Sequence, residues 1–256
     1  MGLDCSQLVY SICSTKVCHM GEDNNKSKIN WIKERESVAN TARAVHHSGL
    51  VSGKSGNVSL RINDNGKTNL MAITPSRQSL SCLTAEQIPV VDFDMNPVEG
   101  QCIPSSESLM HVAIYKSRID VGAVIHTHSL FSTVASITGH KIPAIVDEMV
   151  VTIGGPIYVA DYGFPGSQDL ADNICTSLGN RNAALLRNHG AVGVGTDLEQ
   201  ALEISIFTER LTKIFVYSKM LGEINEIPKE SVVAEEAIFE MMNQREIYSE
   251  GYTGTS

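Results

Sequence analysis

The stretch of sequence that decides the fold is VIHTHS, residues 124–129. It ends an apolar run that starts at Val121 and is typical of a buried β-strand. Side chains two positions apart on a strand project from the same face, so His126 and His128 should point together and Thr127 away from them. Two imidazoles in that arrangement form half of a divalent metal site, although two polar residues at a strand edge have the same spacing. The rest of the chain has to decide between these two interpretations.

The size and composition of the chain exclude several classes of protein. With 256 residues, 42% of them hydrophobic, the chain can bury a full core in one large or two small domains. No run approaches the roughly 20 apolar residues that cross a bilayer, so we expect no membrane partner. The net charge is −9 and no tract is rich in lysine and arginine, which argues against nucleic acid. A phosphorylated small molecule can still bind where the local potential is positive.

Six cysteines, at positions 5, 13, 18, 82, 102 and 175, include no Cys-x-x-Cys pair. The N-terminal residues lack the basic region and the long apolar core of a secretory signal. We therefore expect a cytoplasmic protein whose thiols are reduced.

The composition divides the chain into three parts. Residues 1–28 include a polar, turn-rich tract and are expected to form a weakly ordered N-terminal extension. Residues 29–222 form the main domain, which opens with a helix predicted from Asn30 to Ser48. Residues 223–256 form a helical tail, with an amphipathic helix predicted over 232–247.

Short strands alternate with helices along the main domain. The apolar stretches 58–62 and 70–73 flank Asp64-Asn65-Gly66, which is a hairpin-type turn signal. A strand is also expected after Pro143, and another over Ala183–Arg187. This pattern predicts an α/β layered domain around a central mixed sheet.

Two loops next to the hairpin strands could bind an anion. Gly56-Asn57 precedes the first strand and Ser76 follows the second, so both loops should lie at the same edge of the sheet. Backbone N–H groups of such loops can cradle an anion, although Gly-Asn is also ordinary turn chemistry.

A second anion site is suggested where a helix is predicted to open at Ser105, Ser106 and Glu107. Serines there are good N-caps and a first-turn glutamate suits the helix dipole. The same free amides and hydroxyls could instead bind a phosphate, with the Glu107 carboxylate close to the substrate. His111 lies one turn further on, and we expect it to serve packing.

A third histidine, His189, follows directly after the buried strand 183–187. If that strand lies next to the His-x-His strand, three imidazoles converge. With Glu107 they provide three neutral nitrogens and one carboxylate, a usual set of ligands for a divalent ion such as Zn²⁺. A carboxylate that leaves the metal when substrate arrives would free both a coordination position and a base.

Five short motifs occur in the order found in the class II aldolase/adducin family, which the chain resembles over about residues 30–222. They are GNVS at 56–59, TPS at 74–76, PSSE at 104–107, HTHS at 126–129 and NHG at 188–190. The resemblance implies a three-layer α/β/α fold with a central mixed, largely antiparallel sheet. It also implies a homotetramer with active sites at the subunit interfaces, and Zn²⁺ or another divalent metal such as Mn²⁺.

The resemblance also implies a role for each motif. His126, His128 and His189 would bind the metal, and Glu107 would bind it at rest and act as acid and base during turnover. The phosphate of the substrate would be held by Asn57, Ser76, Ser105 and Ser106. The implied reaction is the reversible cleavage of a ketose 1-phosphate, similar to fuculose 1-phosphate, into dihydroxyacetone phosphate and an aldehyde.

The chain departs from the family pattern at two positions. Arg77 stands in the phosphate loop where the family usually has glycine, and it could add charge or block the approach of the backbone. Asp147 stands where the aldolases place a tyrosine from the adjacent subunit that protonates the aldehyde oxygen. Asp147 is therefore the candidate acid on that side of the substrate.

Other activities in the same family stay open. A sugar-phosphate 4-epimerase shares the bond-breaking step, and sugar-acid phosphate decarboxylases and thioribulose-phosphate dehydratases share the fold. The non-enzymatic alternative is an interaction module similar to the adducin head, but such a scaffold would not need the three histidines and Glu107 together.

Overall fold

An eight-stranded sheet forms the centre of the molecule in a computed structural model that describes residues 31–63 and 69–250. The strand order is β4-β3-β2-β1-β5-β8-β7-β6, and every pair is antiparallel except β6–β7. The strands are β1 Asn57–Asn63, β2 Asn69–Ile73, β3 Val90–Asp92, β4 Pro97–Glu99, β5 Ala123–Thr127, β6 Val159–Ala160, β7 Ala183–Leu186 and β8 Gly190–Gly195. The N-terminal extension expected at 1–28 and the turn expected at 64–66 lie outside the described residues.

Seven helices accompany the sheet within the described ranges. They are α1 Ile32–His47, α2 Ser108–Ser117, α3 Leu130–Thr138, α4 Asp147–Ile153, α5 Gln168–Leu178, α6 Leu198–Leu221 and α7 Lys229–Glu250. Two single 3₁₀ turns, Leu80–Cys82 and Ala85–Gln87, lie between β2 and β3.

The helices cover both faces of the sheet, because the strands alternate apolar side chains between the two sides. On one face, α1 and the start of α6 pack on Val58, Ala123 and Ile125. Helices α3 and α4 extend this layer over β7, together with the rest of α6. On the other face, α2 and α5 pack on side chains that include Val124 and Val192. The predicted three-layer α/β/α fold with a mixed, largely antiparallel sheet is confirmed.

The strand expected after Pro143 is wrong. Ile142 forms only an isolated bridge with Ile157, and residues 147–153 form helix α4. The β-branched run 150–153 favours a strand by local propensity. In the structure Met149 and Ile153, four positions apart, are buried against the sheet, and this packing outweighs the propensity.

Cys82 and Cys102 form a disulfide, so the expectation of reduced thiols is wrong for this pair. Among the described cysteines, Cys175 is free. The bond joins the first 3₁₀ turn to the segment that leads into Pro104. Closing a loop of this length removes entropy from the unfolded chain and stabilises the fold by roughly 3 kcal/mol.

None of the helices in the described part of the chain combines the length and apolar character required to span a bilayer.

Candidate metal centre

Three neighbouring strands bring their ends together at one edge of the sheet. Asn57 opens β1 and is the cross-strand partner of His126 near the end of β5. On the other side of β5, Thr127 pairs with Ala191 near the start of β8. Because both pairs are antiparallel, the start of β1, the end of β5 and the start of β8 coincide.

The backbones approach closely at this edge, and two positions there admit only glycine. A Cβ atom on Gly190 would lie 2.1 Å from the carbonyl oxygen of Thr127. Gly56 has a φ of +76°, and a Cβ atom there would lie 2.8 Å from the carbonyl oxygen of His126. Glycine is therefore required at both positions to keep the strand ends in register.

His189 reaches the site from the tight turn between β7 and β8. Its N–H donates to the carbonyl of Leu186 at 3.0 Å. The preceding residue, Asn188, has a φ of +57°, a conformation that asparagine tolerates better than most residues. The strand before His189 is not the direct neighbour of the His-x-His strand, because β8 lies between β7 and β5. His189 still reaches His126 and His128, because the turn that carries it leads directly into β8, which is the neighbour of β5.

Four side chains gather at the edge: Glu107, His126, His128 and His189 offer one ligand atom each, all within 4.8 Å of one another. The Nε2 atom of His128 lies 2.9 Å from Nε2 of His126 and 3.1 Å from Nε2 of His189. Glu107 oxygens lie 3.3 Å from His126 Nε2 and 3.4 Å from His189 Nε2. A tetrahedral site with bonds of about 2.0–2.1 Å to nitrogen has edges of about 3.3 Å. These four distances are therefore close to the edges of a tetrahedral metal site.

The donor chemistry also fits a cation. His126 donates its Nδ1 proton to the carbonyl of Ala191 at 2.9 Å, which leaves the lone pair of Nε2 facing the cluster. Glu107 Oε1 is buried and has no hydrogen-bond partner, an arrangement that costs free energy unless a cation or a proton satisfies it. Three imidazole nitrogens and a carboxylate are a usual set of ligands for divalent transition metals.

Burial keeps two of the histidines, His128 and His189, neutral. Desolvation, together with the neighbouring imidazoles, lowers the pKa of His128 to about 3 and that of His189 to about 4. Burial alone would raise the pKa of Glu107, but His126, His189 and the Asn57 amide outweigh it and leave this pKa below its usual value. At neutral pH His128 and His189 are therefore uncharged and Glu107 is ionised, the forms that bind a metal.

Glu107 enters the site from the residue immediately before α2. The sequence predicts the serines as N-caps with Glu107 in the first turn, whereas α2 begins at Ser108 and Glu107 itself occupies the N-cap position. Ser105 is buried, and its hydroxyl accepts from the Glu107 N–H at 3.3 Å. Ser105 thus stabilises the turn before the helix, while Ser106 is exposed.

The two serine-bearing loops lie side by side. The Ser76 N–H donates to the carbonyl of Ile103 at 2.9 Å, and the Ser105 N–H donates to the carbonyl of Thr74 at 3.1 Å. Arg77 follows with an exposed side chain and a φ of +60°, which explains why glycine suits this position.

Two further predicted site residues, Asn57 and Asp147, lie outside the serine-bearing loops. Both polar atoms of the Asn57 side chain are hydrogen-bonded, to Glu107 and to His111. Asp147 is exposed in the first turn of α4 and is not one of the four side chains of the cluster. Its carboxyl contacts Glu235 of α7, and burial and this contact raise the pKa of Glu235.

Sequence reasoning did not single out Ser59 and Tyr115, which connect to the site through His111. Their spacing offered a signal. Ser59 lies two residues after Asn57, so both project from the same face of a strand. Tyr115 lies four residues after His111 and eight after Glu107, so the three share one side of a helix. His111 is fully buried, and its role in packing is accompanied by two side-chain hydrogen bonds.

Comparison with known proteins gives a consistent class. Residues 36–216 match the family described as Class II Aldolase and Adducin N-terminal domain. A 5-methylthioribulose-1-phosphate/5-deoxyribulose-1-phosphate aldolase of Escherichia coli is 38% identical over 72% of this chain and 84% of its own. The L-fuculose phosphate aldolase of Escherichia coli K12 is 34% identical over 72% and 83%. A solved L-fuculose 1-phosphate aldolase superposes with a TM-score of 0.76 and 32% identity, over 81% of this chain and 96% of its own.

The fold and the four-residue cluster thus define a metal-dependent lyase that acts on sugar phosphates. The chain belongs to the class II aldolase and adducin family. Within it, the chain is a class II aldolase, an aldehyde-lyase, as the sequence resemblance implied.

The metal-free protein should lose stability as the pH falls from about 6.5 towards 4. In this interval the unfolded chain binds protons on its histidines, whereas folded His128 and His189 stay neutral because their pKa values are about 3 and about 4. The unfolded state then holds more protons, so the free energy of unfolding decreases by several kcal/mol as the pH decreases over this range. Urea titrations at several pH values in this interval, in the presence of a chelator, measure the free energy of unfolding. Replacing His128 and His189 with glutamine should reduce the slope to the part contributed by buried His111, whose pKa is also lowered to about 3. An unchanged slope in that variant would contradict the assignment.

Proposed function

We propose that the protein reversibly cleaves a ketose 1-phosphate into dihydroxyacetone phosphate and an aldehyde, with Zn²⁺ or a similar divalent metal such as Mn²⁺. The observation that carries the proposal is the convergence of Glu107 with three histidines beside the two serine-bearing loops. The substrates in the names of the relatives share a ketose 1-phosphate skeleton, which supports the same skeleton here. The cytoplasmic location expected from the sequence is part of this proposal.

Each residue of the cluster has a chemical task in this reaction. His126, His128 and His189 would hold the metal, which when bound acts as a Lewis acid on the substrate oxygens. Glu107 is ionised, because its pKa is lowered despite burial, and so it can act as a base. In condensation Glu107 removes the C3 proton of dihydroxyacetone phosphate, and in cleavage it returns a proton to that carbon. Burial of the carboxylate limits the access of water to it.

The serine-bearing loops would hold the phosphate. Ser76, Ser105 and Ser106 supply hydroxyls, and the Arg77 guanidinium supplies positive charge from an exposed position. Asn57 can add a side-chain contact to the phosphate only by giving up its bond to Glu107 or to His111.

Asp147 is the proposed acid on the aldehyde side of the substrate, and it would act from the adjacent subunit. This part of the proposal rests on the position that Asp147 shares with the tyrosine of the related aldolases.

A homotetramer with active sites at its subunit interfaces completes the proposal. Leu130, Val134 and Ile137 are exposed on one side of α3, the helix that begins two residues after His128. An apolar stripe next to the metal centre suits burial by a second subunit. Sedimentation of the purified protein should give about four times the chain mass of 27.8 kDa. A monomer that retains full activity would contradict this arrangement.

The function is tested with the metal-loaded protein and a panel of ketose 1-phosphates. The panel contains fuculose 1-phosphate, 5-methylthioribulose 1-phosphate and 5-deoxyribulose 1-phosphate, and dihydroxyacetone phosphate is measured by enzymatic reduction with NADH. Its formation supports an aldolase, whereas an epimerised, decarboxylated or dehydrated product supports the corresponding alternative. Metal content below about 0.1 ion per chain after purification and reloading would favour an interaction module, since the four ligands would then hold no ion.

Replacing Glu107 by glutamine should lower turnover by about 10²–10⁴-fold, because the base is removed. The three histidines should still retain the metal, which elemental analysis checks. Glu203→Gln, the same change at an exposed site on α6, is the matched control and should leave turnover unchanged. Undiminished turnover in Glu107→Gln would remove Glu107 from the mechanism.

Replacing Ser105 and Ser106 together by alanine should raise KM for the phosphorylated substrate by about 10-fold or more, because two hydrogen bonds to a charged group are lost. Steady-state kinetics measure KM, with Ser117→Ala at the far end of α2 as the control. An unchanged KM in the double variant would place the phosphate site elsewhere.

A further inference from the structure

A row of buried polar side chains leads from Glu107 into the core between α2 and the sheet. Asn57 Nδ2 lies 2.9 Å from Glu107 Oε2, and Asn57 Oδ1 lies 2.5 Å from His111 Nε2. On the other side of the ring, His111 Nδ1 lies 2.7 Å from Ser59 Oγ, which lies 2.7 Å from Tyr115 Oη. Each of the five residues is less than one tenth exposed.

Two facing elements provide the row. Asn57 and Ser59 alternate with apolar side chains on β1 and project towards α2, since the intervening Val58 belongs to the core on the other face. Glu107, His111 and Tyr115 follow at intervals of four residues, on the side of α2 that faces the sheet. The row therefore alternates between strand and helix and crosses their interface.

The ionised carboxylate fixes the direction of every hydrogen bond in the row. It can only accept, so the Asn57 amide must present its N–H to Glu107 and its oxygen to His111. His111 must then carry its proton on Nε2, which leaves Nδ1 to accept from the Ser59 hydroxyl. The Ser59 oxygen accepts from the Tyr115 hydroxyl, whose own oxygen is hydrogen-bonded by the backbone of Val124.

The two oxygens of Glu107 are left in different situations. Oε2 accepts from Asn57 and lies 3.3 Å from His126 Nε2. Oε1 is buried without a hydrogen-bond partner and lies 3.4 Å from His189 Nε2. The row thus holds one oxygen and leaves the other available for the reaction.

We propose that His111 is a positioning residue, which through Asn57 fixes the rotation of the Glu107 carboxylate so that Oε1 is the reactive oxygen. This rests on the proposed role of Glu107 as acid and base. Without the proton on His111 Nε2, the Asn57 amide can turn over and present its oxygen to the carboxylate. That orientation is repulsive, and Glu107 would leave its productive geometry.

Packing alone does not account for a histidine at this position. Full burial lowers the pKa of His111 to about 3, so the ring carries a desolvation cost that leucine would not. A fully satisfied polar network offsets this cost and specifies one arrangement of its members. The network here ends at the Glu107 carboxylate of the metal centre. A single arrangement of its hydrogen bonds therefore decides which carboxylate oxygen is free to react.

The hydrogen-bond row is tested first in the metal-free, ¹⁵N-histidine-labelled full-length protein. The nitrogen shifts of His111, assigned by their loss in His111→Gln, should show a single neutral form with the proton on Nε2. A proton on Nδ1, or a mixture of both forms, would overturn the proposal. This measurement needs neither substrate nor turnover.

Kinetics and metal binding test the consequence for Glu107. His111→Leu should lower kcat by about 10–100-fold with KM unchanged, because the base is misplaced while the phosphate contacts remain. Its affinity for Zn²⁺ should fall by about 10-fold, since an outer hydrogen-bond partner of a ligand is lost. His111→Gln, which can replace both hydrogen bonds, should recover most of kcat.

Ile114→Ala is the matched control, because Ile114 is buried on the same helix and its apolar side chain offers no hydrogen bond to the row. It should lower stability and leave kcat per folded molecule unchanged. A fall in kcat for His111→Leu no larger than in this control would overturn the proposal. If His111→Leu fails to fold, Ser59→Ala carries the test, because it removes the donor to His111 Nδ1 and so loosens the ring that holds Asn57. It should lower kcat by about 5-fold with KM unchanged, and an unchanged kcat would overturn the proposal.

Failure of this inference can be told apart from failure of the proposed function. A wild-type protein that forms no dihydroxyacetone phosphate would contradict the function, and the nitrogen shifts and the Zn²⁺ affinity of His111→Leu would then decide the positioning role. An active wild type with an equally active His111→Leu would overturn the positioning role alone.

Discussion

The antiparallel register of β1, β5 and β8 is the constraint on which the site depends. It places Asn57 opposite His126 and brings the turn that carries His189 to the end of β5. A shift of one residue would turn His126 to the other face of the sheet and separate it from Glu107. Gly190 protects the register, because any side chain there would push β8 away from Thr127. Backbone geometry, more than any single ligand, therefore creates the cluster.

The same edge concentrates polar groups at a place where the surrounding core is apolar. Three imidazoles and a buried carboxylate face one another there, and a divalent cation is the partner that satisfies all four. Helix α3, which lies beside the site, is held by a side chain of another helix. Glu209 of α6 accepts the N–H groups of Phe131 and Ser132 and so caps α3, which follows directly after the His-x-His strand. The site is held by hydrogen bonds that reach several elements away.

The sequence predicted the features that depend on local pattern and missed those that depend on tertiary context. The spacing of His126 and His128 predicted their common direction, and the strand and helix patterns predicted the layered fold. The sequence predicts a strand after Pro143, but residues 147–153 form a helix, because packing against the sheet outweighs the strand propensity of their β-branched side chains. The place of β8 between β5 and β7 could not be read from the order of strands along the chain. The connection of Ser59 and Tyr115 to Glu107 needs the strand and helix to be docked, so spacing alone only hints at it.

The disulfide between Cys82 and Cys102 gives this molecule two covalent forms that depend on its surroundings. It joins the chain shortly after Arg77 to the chain shortly before Ser105, behind the loops proposed to hold the phosphate. Exchange with a thiol buffer such as glutathione sets the ratio of the two forms. In a strongly reducing compartment the backbone bonds between Thr74 and Ser105 and between Ser76 and Ile103 must hold the loops without a covalent brace. Under oxidising conditions the disulfide links the same loops covalently in addition to these hydrogen bonds. The stability of this region therefore depends on the redox potential around the protein.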